Sequence, residues 1–525
     1  MSPQNEPRRS DLFTAFTTAP HDQSSQSFDP RRALIYLLLI ATVLRLALAA
    51  SLGLGIDEAY TVATSRSVDW SYFDHPPLAW WLSAASTKLL GSQSALTARL
   101  PFIVLSAVTS ILVYLLTSRL FDAKSGFYAA LFFTLAPALG VTDGTFVLPD
   151  GPLLVALILG ALCLLPLLER EKGASGLFWL AGGCCAGLAM LSKYHGIFLI
   201  LGAGLFVLTS PKHRFWLASP WPYLGACLAL VIFSPVLIWN AHHDWASFQF
   251  QGGRALTSHF RPWMMLVAVG GQALFLTPWI WSPVIASAVT ALRKGPQEPR
   301  SWFLLCLAAG PILTFTLLPL INGAPGLFHW SMPGYLMLLP LLGQAIARRL
   351  ENAHQATHIW LRWSMIATPA LLGIVIALAL LPWPGLPWSK PGQIDDPLIE
   401  TLEWSNLRAA LGSSEDMNSK THFIAGERWH EAGRIDYALQ GEWRVTCLCE
   451  DARAYSVQAP LKNFIGQSAV LIIPQARAEG VNERFGRSFS SLTFWKSISV
   501  DHAGRPAFML NLYIGEGFKK LEPDR

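Results

Sequence analysis

Charge is what this sequence has least of. Lys, Arg, Asp and Glu make up 14% of its 525 residues, and 52% are hydrophobic. Soluble proteins carry roughly 25% charged residues, so an ordinary soluble fold is excluded for most of the chain. The deficit is uneven. Apolar stretches recur from Ala33 to Pro382, whereas Trp383 to Arg525 reads like soluble protein. No short apolar core with a small-residue cleavage site stands near the start, so a cleaved leader is not expected. No internal repeat is visible, which argues against a transporter of anionic or sugar-like solutes built from paired repeats, the alternative class for such a chain. The net charge of +5 is modest and its basic residues gather at segment ends. They report membrane topology rather than nucleic-acid binding. Cysteines number seven. Cys163, Cys184, Cys185, Cys227 and Cys306 lie in apolar runs and are expected to pack as small apolar residues.

The apolar part is a polytopic helical membrane domain. A bilayer core needs roughly 20 apolar residues per helix, which gives about eleven spans. They fall near 33–54, 99–119, 126–142, 150–168, 177–193, 196–210, 220–239, 264–291, 302–321, 330–347 and 360–382. Residues 1–32, rich in Ser, Gln, Pro and Arg, are expected to form a disordered cytoplasmic tail. Arg8, Arg9, Arg31 and Arg32 precede the first span, placing the N-terminus in the cytoplasm. Alternation then sends basic loops such as "LLEREKGAS" and "ARRLENAHQATHIWLR" to the cytoplasmic side. The opposite side receives "IDEAY", "DHPP", "LPDG", "SKYHG" and "HWSMPGY".

Residues 383–525 follow a Pro-rich exit, "LPWPGLPWSKPG", and read as a small extracytoplasmic α/β domain. "THFIAGER", "WRVTCLCE" and "SAVLIIPQ" have the apolar runs of buried strands. "WHEAGRIDYALQG" reads as a helix ended by Gly441, and a hairpin is expected around Ala503 and Gly504. Cys447 and Cys449 are two apart in a strand, where side chains share one face. Two unbridged residues are expected there, because a bridge across one residue would be strained. No catalytic motif stands in this domain.

Chemistry concentrates in the first loop, "GIDEAYTVATSRSVDWSYFDHPPLAWW". Asp57 and Glu58 open a short helix, where acids are favoured. Adjacent helical residues diverge by about 100°, so one can act while the other serves structure. Asp74 and His75 precede two prolines, which hold them on extended backbone. Arg45 lies inside the first span, where a charge costs about 2.5 kcal/mol or more, so it should face the interior and meet an acid or a phosphate.

"DEAY" after the first span, then "YFDHPPL", "LPDGPL", "LSKYHG" and "HWSMPGY" in that order, resemble the membrane glycosyltransferases of the GT-C fold. The closest branch contains the dolichyl-phosphate-mannose protein mannosyltransferases and the lipid A aminoarabinose transferase. The resemblance implies an inverting transferase in a bacterial inner membrane. Its donor would be a polyprenyl-phosphate-linked sugar, and its acceptor an envelope glycolipid, glycan or protein on the outer side. It places the catalytic acid at Asp57, with Glu58 beside it, and a second-loop acid at Asp150, with Asp143 as substitute. Lys193 and Tyr335 match groups that face the donor phosphate. Arg254, in "FQFQGGRAL", is a further phosphate contact or a rim residue, and Tyr60 stands where relatives carry a basic residue. Some relatives hold a divalent metal ion near the first-loop acid, which here would fall to Asp74 with His75 or His259. His75 replaces a lysine of the aminoarabinose enzymes, so aminoarabinose itself is not implied.

Overall fold

The computed structural model describes residues 28–169, 175–256, 260–323, 327–381, 400–412, 422–502 and 505–521. The N-terminal tail, the Pro-rich exit and His259 lie outside them. Helix α1 (Pro30–Ser51) starts where Asp29 accepts the Arg31 N–H and Pro30 presets the first turn. It is followed by α2 (Ile56–Thr64), α3 (Leu78–Leu90), α4 (Ala95–Leu120), α5 (Ala123–Leu135), α6 (Asp150–Leu164), α7 (Leu177–Ser192) and α8 (Ile197–Thr209). Then come α9 (Trp221–His242), α10 (Ala246–Leu256), α11 (Met264–Leu276), α12 (Pro278–Lys294), α13 (Pro299–Asn322), α14 (Met332–Glu351) and α15 (Gln355–Leu380). Ile35, Leu39, Val43 and Leu44 on α1, and Ile366, Ile374 and Val375 on α15, face outward. In a bilayer such faces meet lipid, which costs nothing. Helices α7 and α9 meet so closely that a Cβ on Gly183 would collide with the Gly225 carbonyl, a small-residue contact of the kind that joins membrane helices.

Eleven spans were expected, and all eleven segments are helical. Among the described residues, six helices are individually long and apolar enough to cross a membrane and two bent pairs raise the number to eight; the expected 330–347 span, helix α14, is not one of them. The segments at 177–193 and 196–210 are shorter apolar helices, Leu177–Ser192 and Tyr194–Thr209. Two expected continuous spans are broken. The 126–142 run turns by 78° after Ala136, and the 264–291 run by 111° at Thr277. In both, a proline follows the break and pushes the residue before it out of helical geometry. Ala136 becomes extended (φ −63°, ψ 118°), and Thr277 takes a positive φ of 70°.

Beyond residue 400 the chain forms a mixed five-stranded sheet in the order β2-β1-β3-β5-β4. Its strands are β1 (His422–Gly426), β2 (Val445–Cys447), β3 (Ser468–Pro474), β4 (Ser491–His502) and β5 (Arg505–Glu516). β1 pairs in parallel with β2 and β3, and helix α16 (Trp429–Ala438) makes the β1–β2 crossover. β4 and β5 form the expected hairpin. One face presents Phe423, Leu471 and Ile473 to Phe464, Phe485 and Phe518. The other presents Ile424, Val470 and Leu512 to a core that also holds α16 and, from the helical part, Ala59, Tyr60 and Val62 of α2. Gly433 makes that junction possible, because a Cβ there would lie 2.9 Å from the Tyr60 Cα.

The cysteine expectation is corrected. Cys447 and Cys449 are joined by a disulfide, with their Cα atoms 5.4 Å apart. β2 ends at Cys447, so Cys449 has left the strand, and the period-2 argument does not apply to it.

Candidate active site

Helix α2 is anchored by Glu58. Its carboxylate accepts from Arg99 Nε (2.8 Å), Arg99 Nη2 (2.5 Å), the Val147 N–H (2.8 Å) and the Gly55 N–H (3.0 Å). Arg99, fully buried, also donates to the carbonyls of Leu52 (2.7 Å) and Gly53 (2.7 Å). One ion pair therefore fastens the end of α1, the start of α2, helix α4 and the loop before α6. With four donors on its oxygens, Glu58 has no capacity left for chemistry, so its assignment as a catalytic acid gives way to an anchoring one.

Asp57, one residue earlier, points the other way. Solvent reaches its side chain, yet protein surrounds it, which places it in a recess. Its carboxylate accepts no hydrogen bond from the described residues. Burial raises its pKa; Arg453 and His75 oppose the rise, while Asp74 and Glu58 add to it. The fold leaves a basic, unneutralised oxygen here.

Asp74 is buried, and its oxygens face the Tyr60 hydroxyl and Arg453 Nη1, each at 3.3 Å. Its backbone carbonyl accepts from Gln251 of α10 (2.6 Å). His75 follows in a bend rather than on the expected extended backbone, its carbonyl accepting the Tyr72 N–H at 3.1 Å. Burial, then Lys193, pushes its imidazole down to about 3, and Asp57 and Asp150 pull the other way. The ring is therefore neutral near pH 7, and its buried Nδ1 has no partner among the described residues.

The charges of both Asp57 and Asp150 act on His75, so the two acids lie near the same ring. Asp150 starts α6 and is buried; both of its oxygens accept from Lys193 Nζ, at 2.8 and 2.7 Å. Lys193 ends α7 and is itself buried. Two residues assigned to different tasks thus form one pair. Asp143 is buried nearby, with one carboxylate oxygen unpartnered. His329 also lies at this rim, its imidazole held down to about 4 by burial and by Lys193.

Other expected residues lie elsewhere. The Tyr60 hydroxyl donates to Asp74 and accepts the Ala454 N–H (3.0 Å), and its ring packs on Trp80, Trp429 and Tyr455. It joins the sheet to α2. Tyr335 is buried in the helical core, donating to Gln272 (2.8 Å) and accepting from Trp281 (2.9 Å). Arg254 is on α10. Arg45 meets neither an acid nor a phosphate among the described residues; its Nε donates to the Gly140 carbonyl at 2.8 Å. The described residues do not fit a resident metal: no group of three His, Cys, Asp or Glu side chains is placed to hold one, and Asp74 already has Arg453 as its cation.

Arg453 is the residue that sequence reasoning missed. It comes from the sheet domain with a left-handed backbone (φ 46°), an uncommon conformation for a non-glycine residue. Its guanidinium lies 3.5 Å over the Trp429 ring and 5.2 Å from that of Phe250. Two aromatic faces and Asp74 hold this cation beside Asp57. Only the left-over "ARAY" turn marks it in the sequence, and nothing local says what it meets.

The chain is similar to several known proteins. Residues 74–239 match the model of the dolichyl-phosphate-mannose-protein mannosyltransferase family, a stretch that includes Asp74, His75, Asp150 and Lys193. The chain is 26% identical over 292 residues to the lipid A galacturonosyltransferase RgtD of Rhizobium johnstonii, covering 53% of this chain and 58% of that protein. ArnT of Cupriavidus metallidurans superposes with a TM-score of 0.61 at 14% identity, over 92% of this chain and 98% of that one. Its complex with undecaprenyl phosphate gives 0.60 at 15% identity, over 92% and 97%. The oligosaccharyltransferase AglB of Archaeoglobus fulgidus gives 0.50 at 13% identity, over 84% and 69%. Over nearly its whole length the chain has the fold of ArnT, and its first loops match the mannosyltransferase family model.

Proposed function

We propose that this protein transfers a sugar from a polyprenyl-phosphate carrier to a lipid A-like glycolipid on the extracytoplasmic face, inverting the anomeric carbon. The observation that carries this reading is a contrast between neighbouring acids: Asp57 is accessible and unpaired among the described residues, while the Asp150–Lys193 pair is buried. The acceptor oxygen attacks the anomeric carbon as the bond to the carrier phosphate breaks. The acceptor's proton passes to Asp57, whose raised pKa suits a general base. The phosphate leaves with the bonding electrons toward Lys193, whose ammonium stabilises the growing charge. Asp150 keeps that lysine charged and in place until the phosphate competes for it. Neutral His75 stands near both acids and adds no charge to the site. The undecaprenyl phosphate complex of ArnT supports the carrier class, and the lipid A galacturonosyltransferase supports the acceptor class.

The test uses purified protein in lipid nanodiscs with labelled polyprenyl-phosphate hexose or hexuronate and lipid A. Wild type should label the lipid. Asp57→Asn should lose about 100-fold or more of the rate while keeping its melting temperature. Undiminished transfer by a folded Asp57→Asn protein would overturn the mechanism.

A further inference from the structure

A cavity of about 640 Å³ opens between α12, α14 and α15, at the end of the helical part away from Asp57. Its position follows from α14: His329, near Lys193 and Asp150, stands just before Met332 at the start of that helix, and Arg348 lies sixteen residues after Met332, roughly 24 Å along the axis. Lys294 from the last turn of α12, and Arg348 and Arg349 from the last turn of α14, line it. No acid does. The three cations have no acidic partner among the described residues, and Glu351, the acid at the end of α14, is paired with Lys124 at 3.2 Å. A cation at a helix C-terminus is ordinary, and these three are exposed; what sets them apart is that they line one hollow to which no acid contributes.

The hollow is also graded in polarity. Leu341, Leu342 and Trp360 provide an apolar wall, and Ser287, Thr290 and Gln344 contribute hydroxyl and amide groups. We propose that this cavity holds the headgroup of an acidic glycerophospholipid: phosphate against the basic trio, glycerol hydroxyls on the polar side chains, and acyl chains along the apolar wall. Basic pockets between helices on the cytoplasmic side take such lipids. A polyprenyl phosphate has no headgroup hydroxyls for Ser287, Thr290 and Gln344, and the recess at the other end already offers Lys193 to its phosphate. The lipid here would be a fixed structural partner rather than a substrate.

Native mass spectrometry of the full chain, released from mixed phosphatidylglycerol and phosphatidylcholine vesicles, tests this. Wild type should retain one phosphatidylglycerol preferentially. Each basic group contributes about fivefold, so the Lys294→Ala/Arg348→Ala/Arg349→Ala variant should bind it roughly a hundredfold more weakly. Ala286→Leu, which narrows the cavity and keeps every charge, should lose retention as well, with its melting temperature reporting folding. Equal retention by the triple variant, equal retention of phosphatidylcholine, or displacement by undecaprenyl phosphate at equimolar ratio would each overturn the assignment.

Discussion

At the recess, Glu58, Asp74 and Asp150 each lie within 3.3 Å of a basic group, whereas the accessible Asp57 and the buried Asp143 have none among the described residues. At the opposite end the pattern inverts: Lys294, Arg348 and Arg349 surround a cavity without any acid. Glu58, Asp74 and Asp150 are buried and neutralised where they stand, because an unpaired charge away from water is expensive. The groups left uncompensated are therefore the informative ones. One is a lone base facing a recess; the others are cations facing a hollow. The buried pairs between them hold the frame in which those groups are displayed.

The strongest way to break that division is to attack a frame pair. Glu58→Gln strands the fully buried Arg99 guanidinium and weakens the junction of α1, α2, α4 and the loop before α6. Removing one partner of a buried ion pair costs about 3–5 kcal/mol. The variant should melt well below wild type and lose activity with its fold. Asp57→Asn, one residue away, should melt at the wild-type temperature or above it. A carboxyl whose folded pKa is raised opposes folding as pH rises through that pKa, and asparagine removes this. If the two neighbours destabilised equally, the division between anchor and base would fail.

A smaller effect sharpens the same contrast through pH. Arg453 lowers the Asp57 pKa, so replacing it leaves Asp57 harder to ionise, with Asp74 unneutralised beside it. In Arg453→Met the acid limb of the rate profile should move to higher pH, and raising the pH should recover part of the rate. Arg453→Lys keeps the charge and loses the flat stacking on Trp429, so its limb should stay nearer wild type. Losing the charged contact to Asp74 should also cost about 1.5–3 kcal/mol, read by thermal melting. An unmoved limb in both variants would make Arg453 a packing residue only.

The unequal legibility of these residues in the sequence has physical reasons. Asp57, Asp74, His75, Asp150 and Lys193 stood out because each is polar at the edge of an apolar run, where a charge needs a purpose. The sheet domain was legible from its strand runs, since both faces are buried and the strands are continuously apolar. Glu58 could not be separated from Asp57 by pattern alone; only the position of Arg99, 41 residues away, decides which acid is consumed. Arg453 was invisible because its partner Asp74 lies 379 residues earlier. Tyr60 and Tyr335 misled for a related reason: a tyrosine beside a motif suits a core with one satisfied hydroxyl as well as it suits a phosphate. The breaks at Ala136 and Thr277 were marked by proline, but hydropathy averaged over a span hides them.

The least effect should come from Lys124 and Glu351, an ion pair at the end of the molecule where the cations are uncompensated. Its side chains are 49% and 56% exposed and its atoms 3.2 Å apart, so water and salt screen it, and such pairs contribute about 0–1 kcal/mol. Lys124→Ala should therefore shift the melting temperature by less than a degree or two. It also frees Glu351, an acid only a few residues from Arg348 and Arg349. If the basic trio is held apart from acids in order to keep a lipid phosphate, releasing Glu351 should weaken phosphatidylglycerol retention more than it changes stability. A drop in melting temperature without any change in lipid retention would mean that the pair serves the frame, and that the acid-free hollow does not depend on where its nearest carboxylate is kept.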